Sequence, residues 1–231
     1  DFIPSSISPI GANLLVVANE NSGTVAVYAM ESERKTYEMH QTFTPSEEQT
    51  ADQLLIWSVF GNGGKDDGQT SNDFISIYNP TDSAVDLTGY KVRYSTLRDG
   101  GEREWTDIEL NGSLAAGGYY IIIGSDTGNE NPLISFAEGE YDIKYEFEID
   151  NKQYSIQLVN ASGQVVDALG VDEDESDENA ELAEGSPIVG INKHTVVVRT
   201  DASDTDNNAL DFIKVDLEDN PDLADEYKPV K

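Results

Sequence analysis

The sequence predicts an all-β protein: an antiparallel β-sandwich with an N-terminal β-hairpin appendage. Three observations carry this. The apolar runs are short and rich in Tyr, Val and Ile, which is strand chemistry. Turn signals such as "NPTDSAVDLTG", "LNGSLAAGG" and "NASGQ" recur at short intervals. Long helical periodicity is missing, which argues against a helix-rich or parallel α/β fold. With 231 residues, 38% hydrophobic and 9% aromatic, the chain is globular and can bury a sizeable core.

Residues 1–31 hold two strands, "LLVVANE" and "TVAVYAM". Asn21-Ser22-Gly23 joins them as a tight hairpin connection, with Gly23 free to take positive φ. Residues 32–51 are polar and read as a linker, with "TYEMHQTF" as a candidate extra strand. The main sandwich is expected over 52–215, built from "QLLIWSVF", "DFISIYN", "YKVRYSTL", "YYIIIG", "YSIQLVN", "QVVDAL" and "HTVVVRT". In "DFISIYN", period two places Phe74 and Ser76 opposite Ile75 and Ile77. The acidic insertion "VDEDESDENAELAEGSP", 171–187, reads as a solvated loop, with a cation trap as the functional alternative. The acidic tail, 216–231, has too little apolar surface to pack much.

Charge and composition exclude several functions. The chain carries 14 Lys+Arg against 45 Asp+Glu, a net −31 that repels phosphate backbones and anionic membranes. Neither nucleic acid nor membrane insertion is expected. The absence of cysteine removes disulfides, thiol nucleophiles and Cys-based zinc sites. A chain that opens on Asp1, with no signal peptide, is expected to be a processed form or a piece of something longer.

No residue pattern points to catalysis. Of the two histidines, His40 falls in the linker and His194 opens a strand, both without a nucleophile motif. Gly61, Gly63, Gly64 and Lys65 lack the spacing of a phosphate loop. In "DASDTDNNALDF", Asp204, Asp206 and Asn208 alternate as oxygen ligands of calcium do. The sixth and twelfth positions of a helix-loop-helix calcium site would be Gly and Glu, but here they are Ala209 and Val215. The segment therefore reads as an Asx-rich corner. Asp204, Asp206 and Asn208 remain the candidate metal ligands, and calcium the one cofactor the sequence leaves open.

The run "DFISIYNPTDSAVDLTGYKVRYST" resembles the opening of the lamin tail domain, an immunoglobulin-like β-sandwich. The matching positions are Asn79, Pro80, Val85, Asp86, Leu87, Thr88, Gly89 and Tyr90. Pro80 would end the strand, Asp86 hold the corner, Leu87 plug the core and Gly89 turn the chain. Ser76 stands where the family usually has Glu. "LNGSLAAGGYYIII", "YSIQLVNASGQVVDALG" and "RTDASDTDNNALDF" continue the resemblance in order, over about 52–213. The N-terminal "FIPSSISPIGANLLVVANENSGTVAVYAM" resembles the last blade of an extracellular β-propeller of alkaline-phosphatase-like secreted proteins. The resemblance implies a non-catalytic binding or docking module of a larger exported or cell-surface bacterial protein, beside a propeller-like domain. Its partner would be a protein or a glycan. The alternative is an accessory domain of a secreted metal-dependent phosphatase or nuclease.

Overall fold

The computed structural model describes residues 53–62, 67–96, 104–173 and 182–231 with their side chains, Thr96 excepted, and the backbone of four strands among the first 52 residues. The chain divides into two compact units, Asp1–Gln49 and Thr50–Lys231.

The first unit is an antiparallel sheet of β1 (Pro4–Pro9), β2 (Leu14–Asn19), β3 (Thr24–Glu31) and β4 (Thr36–Phe43), in sequential order. The two expected strands are β2 and β3. The stretch "TYEMHQTF" becomes β4, inside the range read as a linker, and Pro4–Pro9 adds a strand that the sequence reading did not name. The Asn21-Ser22-Gly23 connection lies outside the described residues, as do Gly63, Gly64 and Lys65.

The second unit is a β-sandwich. One sheet has six strands: β12 (Ile143–Lys144), β11 (Tyr119–Asp126), β6 (Asn72–Tyr78), β5 (Leu55–Phe60), β16 (Thr195–Arg199) and β17 (Phe212–Asp216), in that spatial order. The other has five: β15 (Ile188–Val189), β14 (Val165–Asp172), β13 (Tyr154–Val159), β8 (Lys91–Thr96) and β9 (Glu104–Glu109). A short ribbon pairs β7 (Val85–Asp86) with β10 (Ser113–Leu114). Pairing is antiparallel except for β12 on β11 and β15 on β14.

The central core lies between the sheets. Ile56, Val59, Ile75, Ile77 and Ile122 face Val92, Ile108, Ile156, Leu158 and Leu169 across it. Period two sends the alternate residues Phe60, Phe74, Ile121, Ile123, Val196 and Val198 to the other face of the six-stranded sheet. That face is covered too. Ile134, Phe136 and Tyr141 pack there with Leu217, Leu223, Ala224 and Tyr227.

The tail expected to pack little therefore closes a second core. It forms a 3-10 turn, Pro221–Leu223, and a single helical turn α2, Ala224–Tyr227. Its apolar residues are few, but they share one side, and burying a large one contributes about 1.5–3 kcal/mol. Lys228 pins the tail by pairing with Glu140 at 3.0 Å over the Phe136 ring, and Lys231 pairs with Asp142 at 2.7 Å.

The corner after β6 forms as its turn chemistry predicts. The Asn79 amide donates to Ser83, Leu114 and Ala115 carbonyls and accepts from Thr81 N–H. Asp86 accepts from Thr88 N–H at 2.9 Å, Leu87 is fully buried, and Gly89 turns at φ +83°. Ser76 is also buried, its hydroxyl 2.6 Å from that of Ser58 on β5.

Candidate functional site

β16 runs out of apolar residues at Arg199, just where the chain enters the Asp/Asn-rich corner. The Arg199 side chain is fully buried and points between the sheets. Its Nε donates to Ile56 carbonyl at 3.0 Å and its Nη1 to Ser203 carbonyl at 2.9 Å. Its Nη2 meets both oxygens of Asp167, on β14, at 2.8 and 2.9 Å. Asp167 also accepts from Ile56 N–H at 2.5 Å. One backbone residue of β5 thus holds both members of a buried ion pair that ties the two sheets together. Phe212 stacks against the guanidinium at 4.5 Å.

Three more carboxylates gather here. Asp211 lies 3.4 Å from Arg199 Nη1 and accepts from Thr205 N–H and hydroxyl. Asp204 lies 3.9 Å from the same nitrogen. Oxygens of Asp167, Glu184 and Asp204 all fall within 4.8 Å of one another. Burial first, and then the Asp167 and Asp204 charges, push the Glu184 carboxyl up to about 8. Burial also pushes Asp167 up, to about 7, against the opposing pull of Arg199. Arg199 neutralises one charge of this set, and of the two raised carboxyls Glu184 keeps its proton to the higher pH.

Of the residues that the sequence singles out as metal ligands, only Asp204 belongs to this cluster. Asn208 is fully buried and works as a clamp on β14: its Oδ1 accepts from Gly170 N–H at 2.9 Å and its Nδ2 donates to Ala168 carbonyl at 2.7 Å. Asp206 is exposed and takes a left-handed φ of +53°. The corner is built from local turns: Asp201 accepts from Ser203 N–H, Asp204 from Asp206 N–H, and Asn207 caps the short helix α1 (Asn208–Asp211).

Sequence reasoning did not connect Asp167, Glu184, Arg199 and Asp211. The available signal was a charge inside each of two apolar strand runs, Asp167 in "VVDAL" and Arg199 in "VVVRT". Buried opposite charges must pair. Glu184 was hidden in the acidic insertion, whose residues 174–181 lie outside the described residues. Both ends of that insertion belong to the sandwich. Val171 and Asp172 complete β14, and Ala183 sits so close to Gly170 that a Cβ there would lie 2.6 Å from it.

Asp167 accepts from Arg199 at both oxygens and from Ile56 N–H at Oδ2, while among the described residues the buried Glu184 Oε2 has no hydrogen-bond partner. Arg199 and Asp167 form an ion-paired tie between the sheets.

Residues 47–173, more than half of the chain, match the family model of the lamin tail domain. The chain belongs to the lamin tail domain family. The lamin tail domain match includes Asp167 and ends before Glu184, at the end of the acidic insertion, and before Arg199 and Asp204, which come from the strand and corner that complete the six-stranded sheet. No curated protein matches the chain. A similar solved structure is the crystal structure of a DUF4876 family protein from Bacteroides thetaiotaomicron, at 14% identity and a TM-score of 0.47, covering 89% of this chain and 84% of that one.

Proposed function

We propose that this lamin tail domain is a non-catalytic binding and docking module of a larger exported or cell-surface protein. The observation that carries the reading is the interior position of its most elaborate polar constellation. Arg199 and Asp167 have no exposed side-chain surface, and both engage protein groups. A catalytic acid or base must reach its substrate, and these do not. The −31 charge sets the module against nucleic acid and anionic membranes, and among the described residues no helix is long and apolar enough to cross a membrane.

The N-terminal unit supports the larger-protein reading. Four antiparallel strands in sequential order have the form of one propeller blade, which needs neighbouring blades to close a ring. An adjacent propeller-like domain is the proposed intramolecular partner. The same unit also fits an accessory role beside a secreted metal-dependent phosphatase or nuclease. The full reading frame separates the two: an upstream metal-dependent hydrolase domain favours the accessory role, while adhesion repeats favour docking.

The direct test is turnover. Chromogenic phosphomonoesters, phosphodiesters and glycosides, with and without divalent cations, are expected to remain intact. Hydrolysis that disappears in a folded Glu184→Gln or Asp204→Ala variant would overturn the non-catalytic reading.

A further inference from the structure

The face of the six-stranded sheet away from the central core carries an open groove of about 460 Å³. Ser58 and Val198 form its floor, Trp57 and Tyr119 one wall, and Tyr227 and Val230 of the tail the other. Trp57 departs from strand alternation because β5 bulges there: its register with β6 shifts between Ile56 and Ser58. Bulges re-aim side chains in this way. The Trp57 ring lies 4.8 Å from that of Tyr78 and 5.7 Å from that of Tyr119, and the two tyrosines lie 4.9 Å apart. This aromatic trio is half-buried, held by its own packing and still open to solvent.

Among the described residues, the Trp57 indole N–H and the Tyr78, Tyr119 and Tyr227 hydroxyls make no hydrogen bond to protein. Rigid aromatic faces with unspent donors and acceptors suit a ligand with flat C–H faces and a rim of hydroxyls. The two cations bordering the groove are committed, Arg199 to Asp167 and Lys228 to Glu140, while Glu226 adds a negative charge at the rim. An anionic ligand therefore finds no free counter-charge, and the −31 surface repels it. An added β-strand would run along the edge of β17, whereas this groove crosses the strands, with lining from Tyr119 of β11 to Ile213 of β17.

We propose that this groove binds a neutral saccharide, whose sugar rings stack on Trp57 and Tyr119 and whose hydroxyls bond the free indole and phenol groups. The proposal deepens the docking reading by giving the module a ligand class, and it rests on that reading only for its biological setting.

The chain supplies its own reporter. It has two tryptophans, and the other, Trp105 on β9, lies under the Arg93 guanidinium at 4.7 Å, in the other sheet. Trp105→Phe leaves Trp57 as the only indole. In that background, cellohexaose, xylohexaose, mannohexaose and maltohexaose are titrated while emission is recorded. At least one is expected to give a saturable change, and Tyr119→Leu, with its unfolding midpoint retained, is expected to bind it about thirtyfold more weakly. If Tyr119→Leu does not fold, Tyr227→Leu on the opposite wall serves the same purpose. No saturable response to any of the four, an undiminished response in the folded wall variant, or a response to oligolysine in place of the sugars would overturn the proposal. Such a failure leaves the non-catalytic reading standing, because only turnover breaks that.

Discussion

Ile56 and Trp57 are neighbours in sequence and serve opposite environments. Ile56 offers its N–H to Asp167 and its carbonyl to Arg199, inside the sandwich. Trp57, turned by the bulge, offers its ring to the groove on the other face. On the inner side, Arg199 and Asp167 are paired and their hydrogen bonds are spent, while among the described residues the buried Glu184 Oε2 has no hydrogen-bond partner. On the outer side, apolar rings stand half-exposed with their polar tips unspent. A group whose bonding capacity is used up supports the fold, while one held rigid with capacity left over is available to a ligand. On this view the acid-rich corner that looks most like a site is architecture, and the aromatic face is the functional surface.

The largest expected effect comes from breaking the inner side. Arg199→Ala would leave Asp167 buried without its counter-ion, and removing one partner of such a pair costs about 3–5 kcal/mol. Urea denaturation is expected to show this loss, and Arg199→Met with Asp167→Leu is expected to recover most of it. A double variant as unstable as the single one would mean that Arg199 acts through more than charge pairing.

Next in size is the clamp. Asn208→Ala removes bonds to Gly170 N–H and Ala168 carbonyl in a buried position. Each orphaned buried group costs about 1–3 kcal/mol. The unfolding midpoint should fall clearly, with amide exchange quickening at β14 before β6. At Asp206 the expected effect is smaller and conformational. Its positive φ predicts that Asp206→Ala costs about 1 kcal/mol while Asp206→Gly is neutral or slightly stabilising. Equal losses in both variants would instead point to a side-chain bond.

The corner after β6 and the sandwich itself are legible in the sequence. Asn79, Asp86, Leu87 and Gly89 act within a few residues of themselves, so turn chemistry exposes their roles directly. The sandwich follows from strand runs that alternate or are wholly apolar. The Arg199–Asp167 pair joins residues 32 apart on different sheets, and no local pattern predicts which buried charge meets which. Glu184 is one carboxylate among many in the insertion until Gly170 and Ala183 are seen in contact. Leu223, Ala224 and Tyr227 form a packing face that the acidic residues around them disguise. The bulge that turns Trp57 depends on the register of two strands, which is a property of the pair.

Stability should also report the inner cluster through pH. Glu184 at about 8 and Asp167 at about 7 are both raised, chiefly by burial, above ordinary carboxyl values. The native state therefore holds protons that the unfolded chain releases, and stability falls as pH rises through the window from about 4.5 to 8. Relief of self-repulsion in a chain of charge −31 acts in the same direction. The melting temperature is expected to be higher at pH 5.5 than at pH 8.5, by several degrees, with a shallower slope in Glu184→Gln. A slope unchanged by that substitution would place the titrating proton elsewhere.

The central claim is that Arg199 pairs with Asp167 and Glu184 keeps a proton, so that Asp167, Glu184 and Asp204 hold no ion. Calorimetric titration with calcium, against magnesium and sodium chloride at matched ionic strength, tests it most directly. General screening acts alike for all three salts, whereas a built oxygen site prefers calcium. The account predicts no saturable calcium heat beyond that of the controls. A saturable, calcium-only heat that vanishes in Glu184→Gln would contradict it and make the corner a metal site.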